Sequence, residues 1–249
     1  MKQVFKKILR FLNLIIISPK DPEGIKKLKK TFQHNERSFV YNGIKYLVDC
    51  LYCHASPGVI ETIITELTSN KTNGGKILNL GGGTGQVSSI YESIGFNVYN
   101  LDIDVTQEDN KNIKYDLNQE TQIPFPDKSF DVILCQEIIE HIENPWKLLR
   151  EAKRLLKDTG TIIVTTPNIA SLQSKIMFLF TGYFKWFTPN CFNYHINPIP
   201  HWEVDLIAKK SGLIVRSMKG SGDYFFNRNN KTSKKILQKN ESIIYFITK

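Results

Sequence analysis

The sequence predicts an open, mostly parallel α/β sheet behind a helical N-terminal segment, and three observations carry that prediction. From Asn73-Gly74-Gly75 onward, short apolar runs alternate with longer stretches of helical periodicity, the pattern of buried parallel strands joined by crossover helices. The first of these runs leads straight into Gly81-Gly82-Gly83-Thr84-Gly85 and then a helix, and acidic residues recur at the ends of later runs. With 249 residues, 41% of them apolar, the chain can bury the core of one such domain and still carry an appendage.

Taken in order, residues 2–17 place Phe5, Ile8, Leu9, Leu12, Ile15 and Ile16 at helical spacing, with Lys6, Arg10 and Asn13 on another stripe, which predicts a basic amphipathic helix. Pro19 ends it; Asp21 then offers a cap and Pro22 a first helical position for a Lys-rich helix to about residue 30. Residues 39–52 have mixed periodicity. Ser56 as cap and Pro57 at the first position open a further helix, with Val59, Ile60, Ile63, Ile64 and Leu67 on one face. The first 70 residues or so are therefore expected to be helical without a strand, forming an extension over residues 1–72 in front of a domain over 73–249. Within that domain strands are expected at 76–80, 97–101, 112–115, 130–135, 161–165, 213–218 and 242–248, and helices at about 85–94, 145–156 and 201–211. A long aromatic insertion over about 168–200 is suited to form a lid.

Charge and cysteine content narrow the class. The net charge of +9 invites a nucleic-acid or anionic-membrane partner, but +7 of it sits in residues 1–30 and +5 in residues 228–239, so the remainder sums to −3. The helix at 2–17 is instead suited to peripheral contact with an anionic membrane surface. Four cysteines without a regular framework argue against a disulfide-built secreted fold, and the apolar stretch at 11–17 is too short to span a bilayer. A cytoplasmic protein is expected, at most peripheral to the inner face of the membrane. Cys50-Leu51-Tyr52-Cys53-His54 matches a haem-attachment string, but haem attachment requires export, and the match is read as accidental.

The glycine loop lets the backbone turn sharply and approach a ligand, while the helix behind it offers free N–H groups. It is neither a full dinucleotide fingerprint, since Gln86 stands where a glycine would be needed, nor a phosphate loop, since no Gly-Lys-Ser/Thr follows. Asp102 closes the second strand 17 residues after Gly85, where a carboxylate can take both hydroxyls of a ribose; Asp116 follows the third strand, and Gln136-Glu137 the fourth. Together these favour a bound nucleoside in the crevice at the carboxyl ends of the strands.

At Ile77-Leu78-Asn79-Leu80-Gly81-Gly82-Gly83-Thr84-Gly85, Leu101-Asp102, the run from Ile123-Pro124-Phe125-Pro126-Asp127 through Glu140-His141, and Leu155-Leu156-Lys157-Asp158-Thr159-Gly160, the sequence resembles the class I S-adenosylmethionine-dependent methyltransferases. The resemblance covers residues 73–168 closely and implies a Rossmann-like seven-stranded sheet whose last strand is antiparallel. It also implies S-adenosylmethionine as cofactor, with S-adenosylhomocysteine as product. Gly81, Gly83 and Gly85 would line the methionine moiety, Asp102 would hold the ribose, and Asp116 and Leu117 would flank the adenine; Gln136, at the end of the fourth strand, is a further candidate cofactor-binding residue. One departure stands out: Asn79 occupies a position that is usually acidic in the family and helps hold the methionine amino group. Loss of that charge assistance, worth on the order of 1 kcal/mol, is expected to weaken cofactor binding.

Methyl transfer from a sulfonium needs a positioned acceptor and, for a hydroxyl, a base. The chain holds five histidines; His195 in the aromatic insertion and His141 after the fourth strand are the candidate catalytic residues. Glu137, Glu140 and His141 resemble a stretch of the quinone-biosynthesis O-methyltransferases that can hold a divalent ion, but no metal is expected here. Nucleic-acid amino methyltransferases carry Asn or Asp before Pro-Pro and an aromatic where this chain has Gln136-Glu137-Ile138-Ile139, so no nucleic-acid partner is expected. The insertion and His195-Ile196-Asn197-Pro198-Ile199 resemble members found with polysaccharide and cell-envelope biosynthesis, implying a sugar hydroxyl as acceptor. A membrane quinone or lipid is the enzymatic alternative, and a non-catalytic binding or scaffold protein the other; oligomeric state is left open.

Overall fold

The computed structural model describes residues 36–41, 44–49, 55–56, 58–69, 74–221 and 240–249. The expected helices at 2–17 and 21–30, the Cys50 to His54 string and the basic stretch at 228–239 lie outside the described residues. The first described elements overturn the expectation of an all-helical start: β1 (Glu36–Tyr41) and β2 (Ile44–Asp49) pair antiparallel, from Tyr41↔Ile44 out to Glu36↔Asp49. Their runs Phe39-Val40-Tyr41 and Tyr46-Leu47-Val48 combine β-branched and aromatic residues, and Asn42-Gly43 between them is the strongest short-range hairpin signal in sequence. α1 (Val59–Ser69) follows and buries Val59, Ile60, Ile63, Ile64 and Leu67, the face expected from the sequence. The Ser56 hydroxyl pairs with the Ser242 hydroxyl at 2.8 Å, tying this segment to the last strand.

The remaining strands build one sheet. β3 (Lys76–Leu80), β4 (Asn97–Asp102), β5 (Asn112–Lys114), β6 (Phe130–Gln136), β7 (Leu156–Pro167), β8 (Ile214–Ser221) and β9 (Ser242–Thr248) lie in the order β5-β4-β3-β6-β7-β9-β8. β3 pairs parallel with β4 and β6, β4 with β5, and β6 with β7, whereas β9 runs antiparallel between β7 and β8. The last strand is therefore the antiparallel one, as expected. Strand order reverses between β3 and β6, which opens a crevice at their carboxyl ends.

Period-two alternation divides the apolar residues between two faces. Leu78, Leu80, Ile133, Cys135, Ile162, Val164 and Tyr245 pack on one side with α3 (Pro145–Leu155) and α5 (His201–Lys210). Ile77, Val132, Leu134, Ile163, Ile244 and Phe246 pack on the other with α1 and α2 (Gln86–Ser93). α3 starts where its sequence dictates, with the Asn144 side chain accepting from Lys147 N at 2.9 Å and Pro145 in the first turn. Between β7 and α5 the aromatic insertion contains a helix, α4 (Leu172–Thr181), capped by the Ser171 hydroxyl and ended by Gly182 at φ 76°.

Candidate active site

The loop from β3 to α2 needs its glycines for two different reasons. Gly81, Gly83 and Gly85 have φ of 75°, 56° and 90°, a region that L side chains rarely adopt. Gly82 is needed for space, because a Cβ there would lie 1.9 Å from Asn100 Oδ1 and 2.5 Å from Asn79 Nδ2. The loop is held from β4: Gly81 N donates to Leu101 O at 2.8 Å, and Gly83 N donates to Asp102 Oδ2 at 2.8 Å. The other Asp102 oxygen accepts from Asp104 N at 2.8 Å. A carboxylate accepts about four hydrogen bonds, so Asp102 fixes the loop and keeps acceptor capacity for a ligand diol.

Beneath the loop runs a relay that composition alone does not reveal. Asn79 Nδ2 donates to Ser88 Oγ at 3.1 Å, Ser88 Oγ donates to Asn100 Oδ1 at 3.0 Å, and Asn100 Nδ2 donates to Gly83 O at 3.0 Å. Asn79 and Asn100 are cross-strand partners in the β3–β4 register, which is why their side chains meet. Asn79 Oδ1 is buried without a partner under Gly82, an acceptor suited to a cationic ligand group. Restoring a charge with Asn79→Asp is expected to destabilise the ligand-free protein by about 1–3 kcal/mol, since the carboxylate would be buried unpaired. Thermal unfolding should then show a larger upward shift with S-adenosylhomocysteine for the variant than for the wild type.

Asp116 and Gln136 have the following partners in the ligand-free protein. Asp116 is exposed and its Oδ1 accepts from Asn118 N at 2.8 Å, while Asn118 Oδ1 accepts from Glu143 N at 2.9 Å, so Asp116 shapes the turn beside half-buried Leu117. Gln136 Oε1 accepts from Tyr91 OH at 3.0 Å, which anchors the end of β6 to α2.

The two candidate histidines, far apart in sequence, come together. His141 and His195 stack edge to face with ring centroids 4.7 Å apart. Each imidazole is oriented by a carbonyl of the insertion: His141 Nδ1 lies 2.8 Å from Tyr194 O, and His195 Nδ1 lies 2.8 Å from Trp186 O. Donation to a carbonyl puts the proton on Nδ1 and the lone pair of the neutral ring on Nε2. The insertion is stapled to the short helical turn at Ile139–His141: Ile196 N and Asn197 N both donate to Glu140 O at 3.0 Å, and Asn197 Nδ2 donates to Ile142 O. Ile138, immediately before that turn, packs so closely on Gly81 that a Cβ there would meet it at 2.4 Å, which joins the histidine cluster to the glycine loop.

Glu140 completes the cluster. It is 0% exposed, its carboxylate takes support from the Thr166 side chain, and its Oε1 lies 3.9 Å from His141 Nε2. Donor atoms of Glu140, His141 and His195 all lie within 4.8 Å of one another, a set able to hold a borderline divalent ion such as zinc. His195 thus takes the place that Glu137 holds in the sequence trio, because the Glu137 carboxylate is occupied: its Oε1 accepts from the Thr165 hydroxyl at 2.7 Å, and Glu137 N donates to the same hydroxyl at 2.9 Å. That clamp holds Glu137 at φ 49°, a strained value for a residue with a side chain.

Burial pushes the Glu137 carboxyl from its ordinary 4.5 up to about 7, and Glu140, buried and facing Glu137, stands well above 4.5. With a folded-state pKa above the unfolded value, the native state binds more protons, so stability is fully present below the unfolded pKa and falls as pH rises towards 7. Glu137→Gln is expected to flatten this decline, up to about 1.4 kcal/mol per pH unit for one proton, in denaturant unfolding at pH 5 and pH 7.

Fold and site together define a class I methyltransferase architecture: a parallel sheet with one antiparallel strand, a glycine loop at the switch in strand order, and an acidic residue closing the next strand. A family model described as a methyltransferase domain matches residues 52–217. The chain belongs to the class I S-adenosylmethionine-dependent methyltransferase family, and its cofactor is S-adenosylmethionine. The residues present fit that cofactor, given the unpartnered acceptor of Asn79, the remaining capacity of Asp102 and the open space within 4 Å of where a Gly83 Cβ would stand.

Among curated relatives, a ubiquinone biosynthesis O-methyltransferase of Rickettsia canadensis is 26% identical over 216 residues, covering 82% of this chain and 86% of that protein. One of the same name from Glaesserella parasuis is 30% identical over 118 residues, covering 40% of this chain and 50% of that protein. A Methanocaldococcus jannaschii protein is matched over 43% of its length, so against several relatives the chain spans about half or less. A solved S-adenosylmethionine-dependent methyltransferase of Aquifex aeolicus superposes with a TM-score of 0.52 at 17% identity, covering 91% of this chain and 97% of that one, and shows the shared fold.

Proposed function

We propose that the protein transfers a methyl group from S-adenosylmethionine to a hydroxyl of a small molecule held against the Glu140, His141 and His195 cluster. The observation that carries this reading is the convergence of two carbonyl-oriented imidazoles, one of them on the short turn that directly follows Ile138, the glycine loop's contact. The cofactor supplies an activated methyl group when bound. The protein's own tasks are to hold the acceptor oxygen in line and to keep water out beneath the aromatic insertion. His195 Nε2 takes the hydroxyl proton as the oxygen–carbon bond forms and the sulfur–carbon bond breaks. His141 packs edge-on against that ring, and buried Glu140 stands beside it.

Relatives named ubiquinone biosynthesis O-methyltransferases favour a quinol-type phenol as acceptor. The sugar hydroxyl expected from the insertion is the alternative reading, and the scaffold reading rests on Asn79. Incubation of the protein with labelled donor and separate pools of quinols, sugar nucleotides and RNA tests all of these. Label in the quinol pool supports the first reading; label in the sugar pool replaces it with the second, and no transfer to any pool sinks both.

A further inference from the structure

Helix α4 is inside out. The one fully buried side chain of its ten residues is Ser174, while Phe178, Leu179 and Phe180 face solvent, Leu179 with 76% of its surface exposed. Tyr183, Trp186 and Tyr194 from the following turns are exposed as well. Soluble helices place such residues inward, and contiguous apolar surface of this kind marks a contact site. Aliphatic and phenyl groups at a helical tip with Tyr and Trp around it match the layering of a bilayer interface, where the amphipathic rings sit at headgroup level.

Charge selects among possible occupants. Residues 168–200 contain Lys175 and Lys185 and not one acidic residue. Lys185 is engaged by Glu241 at 2.5 Å, which leaves exposed Lys175 on the helix carrying the patch. A second copy would bring two positive, acid-free surfaces together, whereas an anionic lipid surface answers that charge. No described helix is long and apolar enough to cross a membrane, so the contact is interfacial.

We infer that the exposed face of α4 and the turns after it dock on an anionic lipid bilayer, seating the segment that carries His195 at the membrane surface. The surface goes beyond the methyl-transfer reading and does not depend on it, since lipid binding is measured without turnover. It is also distinct from the expected contact of residues 2–17, which lie outside the described residues.

Flotation of the full-length protein with phosphatidylcholine vesicles, with and without phosphatidylglycerol, tests the inference alongside a Leu179→Glu/Phe180→Glu variant and a deletion of residues 1–20. Binding to the anionic vesicles is expected, weakened at least about tenfold by the double substitution and retained in part by the deletion. Brominated lipid should quench tryptophan emission in the wild type and not in the double variant. Unchanged circular dichroism and S-adenosylhomocysteine affinity in that variant would show that folding is intact. Wild-type protein that ignores anionic vesicles, a double variant that floats like the wild type, or binding abolished by the deletion alone would each overturn the inference. So would a dimer dissolved by the double substitution while vesicle binding persists, since a second copy would then be the occupant.

Discussion

Asp102→Ala is expected to lower affinity for S-adenosylhomocysteine at least about a hundredfold, equivalent to about 2.7 kcal/mol, in a calorimetric titration. The size follows from two losses at once. The carboxylate receives Gly83 N and Asp104 N, both at 2.8 Å, so its removal frees the middle of the glycine loop and leaves two backbone donors without their charged acceptor. Its remaining lone pairs are the ones available to a ribose diol. Asp102→Asn retains an acceptor for one N–H but turns an amide towards the other, and an intermediate loss is expected. Equal affinity in Asp102→Ala and wild type would mean that the nucleoside does not bind at this end of β4.

His195→Ala is expected to reduce turnover of a hydroxyl acceptor about 100- to 10,000-fold, the usual range for loss of a positioned base. S-adenosylhomocysteine affinity should stay within about twofold, because the ring lies in the insertion and not in the glycine loop. A merely structural His195 would behave differently, since loss of its contact with Trp186 O would loosen the insertion and raise KM with little change in kcat. The pH–rate profile separates the two: the wild type should show an acidic limb from the imidazole, and the variant should lose it. His141→Ala is expected to fall in the same direction by a smaller factor, as its ring supports the neighbouring one at 4.7 Å.

The sheet was legible because its strands are buried on both sides and read as continuous apolar runs, with the two faces separable by alternation, as at Ile133 and Cys135 against Val132 and Leu134. The hairpin at residues 36–49 is signalled by Asn42-Gly43 but is hard to read, because its two strands are only six residues each and lie between segments of helical periodicity. Asp102 was legible from its position at a strand end; its grip on Gly83 N was not, since that depends on the β3–β4 register. Ser88 and Asn100 carry no signal in isolation and gain a role only because Asn79 lies opposite Asn100 beneath a residue without a side chain. Glu140 stands out in sequence only by its spacing from Glu137 and His141, and its burial is not legible there. It is buried because the insertion folds back onto that turn, a contact between segments more than fifty positions apart.

The staple between the insertion and the turn at Ile139–His141 acts as an interlock. Tyr194 O orients His141, Trp186 O orients His195, and the neighbouring Ile196 and Asn197 amides hold both ends together on Glu140 O. On the proposed reading, lifting the insertion would carry His195 and Trp186 O away together, part them from His141, and take Tyr194 O from the His141 ring. The two imidazoles would then meet only with the insertion seated, and the Ile196 and Asn197 amides, both bonded to Glu140 O, would report its opening by hydrogen exchange.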